Sequence, residues 1–269
     1  MNILDTLANA ALFIASRRQA AHSMNREQEE KIWLYVRALS HFVHVTGQAY
    51  RFEDFLDGTI PTEPHVSPLL SAHRGSIARR AIELLKTLDE PTEPADKQHV
   101  LVLIALLDFI TDTGQLADVE NFFNHQLEYA PVAIAHFASH EEAETWLKGL
   151  TQPPSPARIL IGDEYHQFWY MREDGTRGMY RDHAIEPALE ALVARGIPPQ
   201  VPSFTQRVEA ESWLMSHPAA PYAFVAIAGE YYFAVHHWRL NRHSLHHVAS
   251  TLKEWDERKK AVDLEKARE

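Results

Sequence analysis

Histidine is the residue type that would bring chemistry to this chain, with 17 in 269 residues. The densest run is His236-His237, followed by His243, His246 and His247. Read as part of a helix, His243 with His246 or His247 presents two imidazoles on one face. Zinc takes three or four ligands in a tetrahedral array, and no carboxylate or cysteine stands at a ligand spacing here. His243 and His247 are therefore the candidates for a metal-dependent enzyme site. The plainer expectations are a polar face or a pH-sensitive interface. Two further patterns imitate catalytic motifs. Asp112-Thr113-Gly114 spells the aspartic-protease triplet, but that chemistry needs two carboxylates sharing a proton. Ser250-Thr251-Leu252-Lys253 fits the serine–lysine pattern of penicillin-recognising enzymes without its companion motifs. The sequence contains no phosphate loop, dinucleotide-binding glycine pattern, nucleophile elbow or zinc-protease helix. The expectation is a protein that binds rather than catalyses, with no cofactor.

A second group of residues suits binding. Asp163-Glu164-Tyr165 and Glu230-Tyr231-Tyr232 each set acid beside tyrosine at an expected hairpin turn. Tyrosine supplies contact area at low entropic cost, and a carboxylate steers a basic partner. These six residues are the candidate partner-binding set, against the plainer expectation of solvated hairpin tips.

Charge points the same way. The formal net charge is −11. Residues 1–130 carry 11 basic and 18 acidic side chains, and residues 131–269 carry 15 and 19. Neither half has the basic footprint of a nucleic-acid binder. An acidic field repels phosphate and anionic lipid and attracts basic proteins. The absence of cysteine removes disulfides, thiolate metal sites and a thiol nucleophile, and favours a reducing compartment. The apolar stretch before Ala15 is followed by Arg17 and Arg18, the reverse of a secretory signal. The run Val100–Leu107 is far shorter than the roughly 20 residues that span a bilayer. A cytoplasmic protein without membrane or nucleic-acid partners is expected.

Two modules must position these residues. Residues 1–129 read as a helical bundle. Leu4, Leu7, Ala11 and Ile14 repeat at helical spacing, as do Ile32, Val36, Leu39 and Val43 behind a candidate cap at Asn25. Prolines 61, 64 and 68 mark a loop, Ile77–Leu88 a third stripe, and Pro91 and Pro94 a second break. The stretch 36–56 lies on 103–123 at an ungapped offset of 67, with 8 of 21 positions identical. Both copies carry Thr-Gly-Gln, where glycine lets a helix stop.

Residues 130–269 read as a duplicated β-α-β-β-α unit, 137–195 and 204–255, with an antiparallel sheet, or two small ones related by a pseudo-dyad, and helices on one face. Phe137–Leu147 matches Phe204–Leu214 at 6 of 11 positions, again at offset 67. Trp146 and Trp213 fall on the amphipathic helices and should pack on the sheet. Leu245, Val248 and Leu252 are read as the closing helix of the second copy. The fold class is α+β.

The helix-Thr-Gly-Gln-helix segments, followed by the paired Phe-…-Glu-Ala-Glu-x-Trp-Leu units, resemble bacterial immunity proteins of polymorphic toxin systems. That resemblance implies a cytosolic, non-catalytic inhibitor. It would cover the active surface of a cognate toxin, often a basic nuclease. A peptide-binding scaffold is the remaining alternative.

Overall fold

A computed structural model describes residues 2–73, 75–88, 94–126 and 128–266. Asn2 begins the first helix by accepting the amides of Leu4 and Asp5 on its side chain. α1 (Ile3–Ser23) runs into α2 (Glu27–Val45). Asn25 does not cap α2 as expected. It turns the chain in the left-handed region at φ +55°, and Arg26 holds the cap position. α3 (Ala49–Phe55), a 3-10 turn at Pro68–Ala72, α4 (Ile77–Thr87), α5 (Pro94–Asp112) and α6 (Leu116–His125) follow. The break expected at Pro91 lies outside the described residues.

α2 and α5 end in the same way. Gly47 at φ +68° and Gly114 at φ +70° let the next amide reach back five residues. Gln48 N–H donates to Val43 O and Gln115 N–H to Ile110 O, each at 2.9 Å. This closure satisfies carbonyls that a helix end otherwise leaves open. Thr46 and Thr113 add hydroxyl bonds of 2.6 Å to Phe42 O and Phe109 O. Residues 100–107 of α5 are all buried, Phe52 meets Phe109 of α5 at 5.6 Å, and Trp33, Tyr35 and Phe42 of α2 are buried as well.

The chain divides into two compact units. The first is Met1–Gln126 with the segments Gln152–Pro156 and Tyr170–Thr176, and the second holds the remainder.

The second unit contains two four-stranded sheets with the same strand order and pairing. The first is β1 (His136–Phe137), β2 (Ala157–Ile161), β3 (Glu164–Tyr170) and β4 (Arg177–Arg181), with α7 (His140–Gly149) between β1 and β2. After α8 (Glu186–Ala194) the second is β5 (Ser203–Phe204), β6 (Tyr222–Ile227), β7 (Glu230–His237) and β8 (Arg242–His247). α9 (Arg207–Ser216) lies between β5 and β6, and α10 (Val248–Lys266) closes the unit.

Two expectations are corrected. The sheets are mixed rather than antiparallel: β1 pairs parallel with β2, and β5 with β6. A helix between two neighbouring strands returns the chain in the same direction, which a tight hairpin cannot do. Each unit also has a third meander strand, so the order is β-α-β-β-β-α. Leu245 therefore lies in β8, and the closing helix begins at Val248.

The tryptophans pack on the sheets as expected. Trp146 meets Phe137 at 5.1 Å beside Ala143 and Ile159, and Trp213 meets Phe204 at 5.9 Å beside Val225 and Ile227. A third cluster joins Leu160 and Tyr165 of the first sheet, Leu189 of α8, Phe233 and Val235 of the second sheet, and Val248 of α10.

Candidate functional site

The six acid-and-tyrosine residues fall into different surroundings. Asp163, in the β2–β3 turn, accepts Arg207 Nη2 at 2.6 Å, with Arg242 Nη2 at 3.7 Å. Glu164 pairs with Arg181 at 3.2 Å. Tyr165 is 1% exposed, which corrects its expected place on an accessible tip: it points to the opposite face of β3 from Glu164, because side chains alternate along a strand. The second tip is open. Glu230 is exposed and 3.5 Å from His247, Tyr231 is exposed, and Tyr232 is half-buried with its ring 5.2 Å from that of His247.

The histidines are on a strand, not a helix. His243 and His247 share one face of β8 but lie about 13 Å apart at roughly 3.3 Å per residue. That is too far to share one ion. His243 is instead paired in register with His236 of β7, their rings stacked at 4.6 Å and 16°. Ala219 N–H donates to His243 Nε2 at 3.3 Å, so the ring proton sits on Nδ1. That nitrogen is buried and makes no hydrogen bond among the described residues.

The opposite face of β8 builds a buried hydrogen-bonded chain. Tyr165 Oη donates to Pro131 O at 2.8 Å and therefore accepts from His237 Nδ1 at 3.2 Å. His237 Nε2 is then the acceptor for Ser244 Oγ at 2.8 Å, and Ser244 accepts His246 Nε2–H at 2.8 Å. The link from Ser244 to His237 needs a neutral imidazole with its proton on Nδ1. Burial enforces neutrality, holding His237 down at about 3 and His246 at about 4. Ser244 is fully buried, so this chain joins the two sheets rather than presenting a nucleophile.

A pocket in the first unit was not found from the sequence. It has a volume of about 250 Å³ and lies between α5 and the segment 55–65. Asp108 of α5 is among the residues that line it, with a side chain 2% exposed. Its Oδ1 accepts Ser67 N–H at 2.7 Å, and its Oδ2 lies 3.2 Å from His65 Nδ1, an imidazole that is 73% exposed. Burial raises the Asp108 carboxyl above its ordinary value, only partly offset by the Ser67 amide and His65. One signal was legible: Asp108 is the sole charged residue from Val100 to Ile110.

Close by in the same unit, Arg172 fastens the segment 170–176 to α3. It donates to Glu53 at 2.9 Å and to Asp54 at 2.7 Å, and lies 4.8 Å above the Tyr50 ring. The stretches 49–66 and 170–176 together carry six carboxylates (Glu53, Asp54, Asp57, Glu63, Glu173, Asp174) and two guanidiniums (Arg51, Arg172).

No family model, curated protein or solved structure matches this chain. Among the described residues no single helix is long and apolar enough to cross a membrane.

Proposed function

We propose that this chain is an acidic binding protein of the immunity type, which neutralises a basic bacterial toxin in the cytoplasm by direct contact. The observation that carries the reading is the acidic surface of the first unit. Arg172 holds the segment 170–176 to α3 through Glu53 and Asp54, and the stretches 49–66 and 170–176 together carry six carboxylates against two guanidiniums. Such a field raises the encounter rate with a cationic protein and disfavours phosphate. The proposed mechanism is steering to the toxin followed by occlusion of its working surface. Glu230 and Tyr231 at the open hairpin tip offer a second contact of the same chemistry.

The test is co-expression with the product of the adjacent gene. A stoichiometric complex that weakens as salt rises, together with rescue of growth, supports the reading. Mixing at low salt that yields no complex, with growth still arrested, sinks it.

A further inference from the structure

We infer that the pocket between α5 and the 55–65 segment receives an arginine side chain of the partner protein. The inference rests on the binding role proposed above and names the anchor through which that role is carried out.

The pocket's lining has two kinds of chemistry. Leu56, Leu101 and Ile104 line it with hydrocarbon, and the Glu63 and Asp108 carboxylates line it with negative charge. This is the complement of an arginine, whose methylene stem buries along apolar surface while its charged head seeks an anion. The volume of about 250 Å³ suits one long side chain rather than a helix or a cofactor.

Asp108 is open to a further donor. An ionised carboxylate has about four lone-pair positions. Asp108 uses one for the buried Ser67 amide and one for His65. The Ser67 bond is fixed within the fold, whereas His65 stands mostly in water and can be displaced without unsatisfying a buried group. Burial, together with the charge of Asp112, keeps the Asp108 carboxyl raised despite these two donors, so an incoming cation meets a carboxylate that its present partners do not fully compensate. Glu63, which also lines the pocket, is exposed and makes no ion pair among the described residues. A planar guanidinium fork can address two separate carboxylates, which a single ammonium does less well. Buried arginine anchors are over-represented among the residues that dominate binding energy.

The test uses the full chain and propylguanidinium, the arginine side chain without its backbone. Propylurea serves as the uncharged analogue and butylammonium as the lysine analogue. NMR follows the methyl groups of Leu101 and Ile104. The expected result is a saturable shift with propylguanidinium that exceeds those with the other two. It should weaken on the order of tenfold in Glu63→Lys, an exposed substitution that leaves the fold intact. Equal shifts with propylurea would show a pocket that reads shape alone, and equal shifts with butylammonium one that does not select arginine. Either result overturns the inference, as does no shift. In the complex itself, Glu63→Lys binding the toxin as tightly as wild type overturns the pocket while leaving the binding role intact. If the wild-type chain binds no toxin, the binding role fails, and the propylguanidinium titration still decides the pocket.

Discussion

Gln48 and Gln115 donate to each other's carbonyl oxygens at 2.8 and 2.9 Å, closing a reciprocal pair between two positions 67 residues apart. Each amide also donates its second proton to the hydroxyl two residues earlier, Thr46 or Thr113, at 2.7 Å. The Thr-Gly-Gln segment that ends each helix therefore does two jobs. The glycine turns the chain, and the glutamine meets its counterpart at the end of the other helix.

Gln48→Ala should cost about 1–2 kcal/mol, because it removes the reciprocal pair and leaves the half-buried Gln115 amide one partner short, while the Thr46 hydroxyl keeps its bond to Phe42 O. The double variant Gln48→Leu with Gln115→Leu should cost less than the sum of the two single variants. Urea melts of the four proteins form a double-mutant cycle. Additive losses would show that the pair is not coupled.

The two glycines should not tolerate change equally. Gly114→Ala meets open space, so its loss is the left-handed backbone alone, about 1–2 kcal/mol. Gly47→Ala bears the same backbone cost, and its methyl would also stand 2.6 Å from Pro154 Cβ and 3.0 Å from the Pro154 backbone. Overpacking of that kind adds about 1–3 kcal/mol. Thermal melts should rank Gly47→Ala clearly below Gly114→Ala.

The buried imidazoles predict acid lability. Burial lowers His237 to about 3 and both His243 and His246 to about 4, from 6.5. Arg242 reinforces the effect at His237. Arg181 and Arg207 do so at His246, against Asp163. Between pH 6.5 and about 4 the unfolded chain binds these protons and the folded chain does not, so stability falls as pH falls through that window. Above pH 6.5 the contribution is complete. Each group adds a slope of up to about 1.4 kcal/mol per pH unit. Urea midpoints measured from pH 7 to 4.5 should fall, and His237→Gln should flatten the curve. An unchanged slope in that variant would show that His237 titrates freely in the fold.

What the sequence made legible was periodic or repeated. The helices, the glycine stops and the two tryptophan helices all rest on local spacing and stand where that spacing put them, although α1 buries Ile3, Leu7, Ala10 and Ile14 and leaves Ala11 exposed. Leu245, Val248 and Leu252 fall at helical intervals, yet Leu245 lies in β8 with the histidines around it. Pairing with β7 overrides that spacing, since strand preference is set by neighbours more than by the segment itself. β4 escaped notice because Arg177-Gly178-Met179-Tyr180-Arg181 has no apolar alternation to announce it. The parallel pairing of β1 depends on where α7 returns the chain, which no single segment encodes. At the pocket, Asp108 stood out as a charge in an apolar helix, but its partners Ser67 and His65 are 41 and 43 residues away.

Asp108 offers a direct test of whether a charge is held there at the expense of stability. Its carboxyl is raised above 3.8 by burial, so over the range between the unfolded and folded values the folded chain binds more protons than the unfolded one. Its contribution therefore becomes less favourable as pH rises through that range, and the penalty is complete at neutral pH. Asp108→Asn keeps an acceptor for the Ser67 amide while removing the charge. At pH 7 it should match wild type or exceed it by up to about 1 kcal/mol, with the advantage shrinking in acid. Asp108→Ala leaves the buried Ser67 N–H without its partner and should lose about 1–3 kcal/mol. Urea melts of both variants at pH 7 and pH 4 separate the two effects. If asparagine costs as much as alanine, the negative charge itself supports the fold, and a role in receiving a partner's cation is no longer needed to explain why an acid stands in the most apolar stretch of α5.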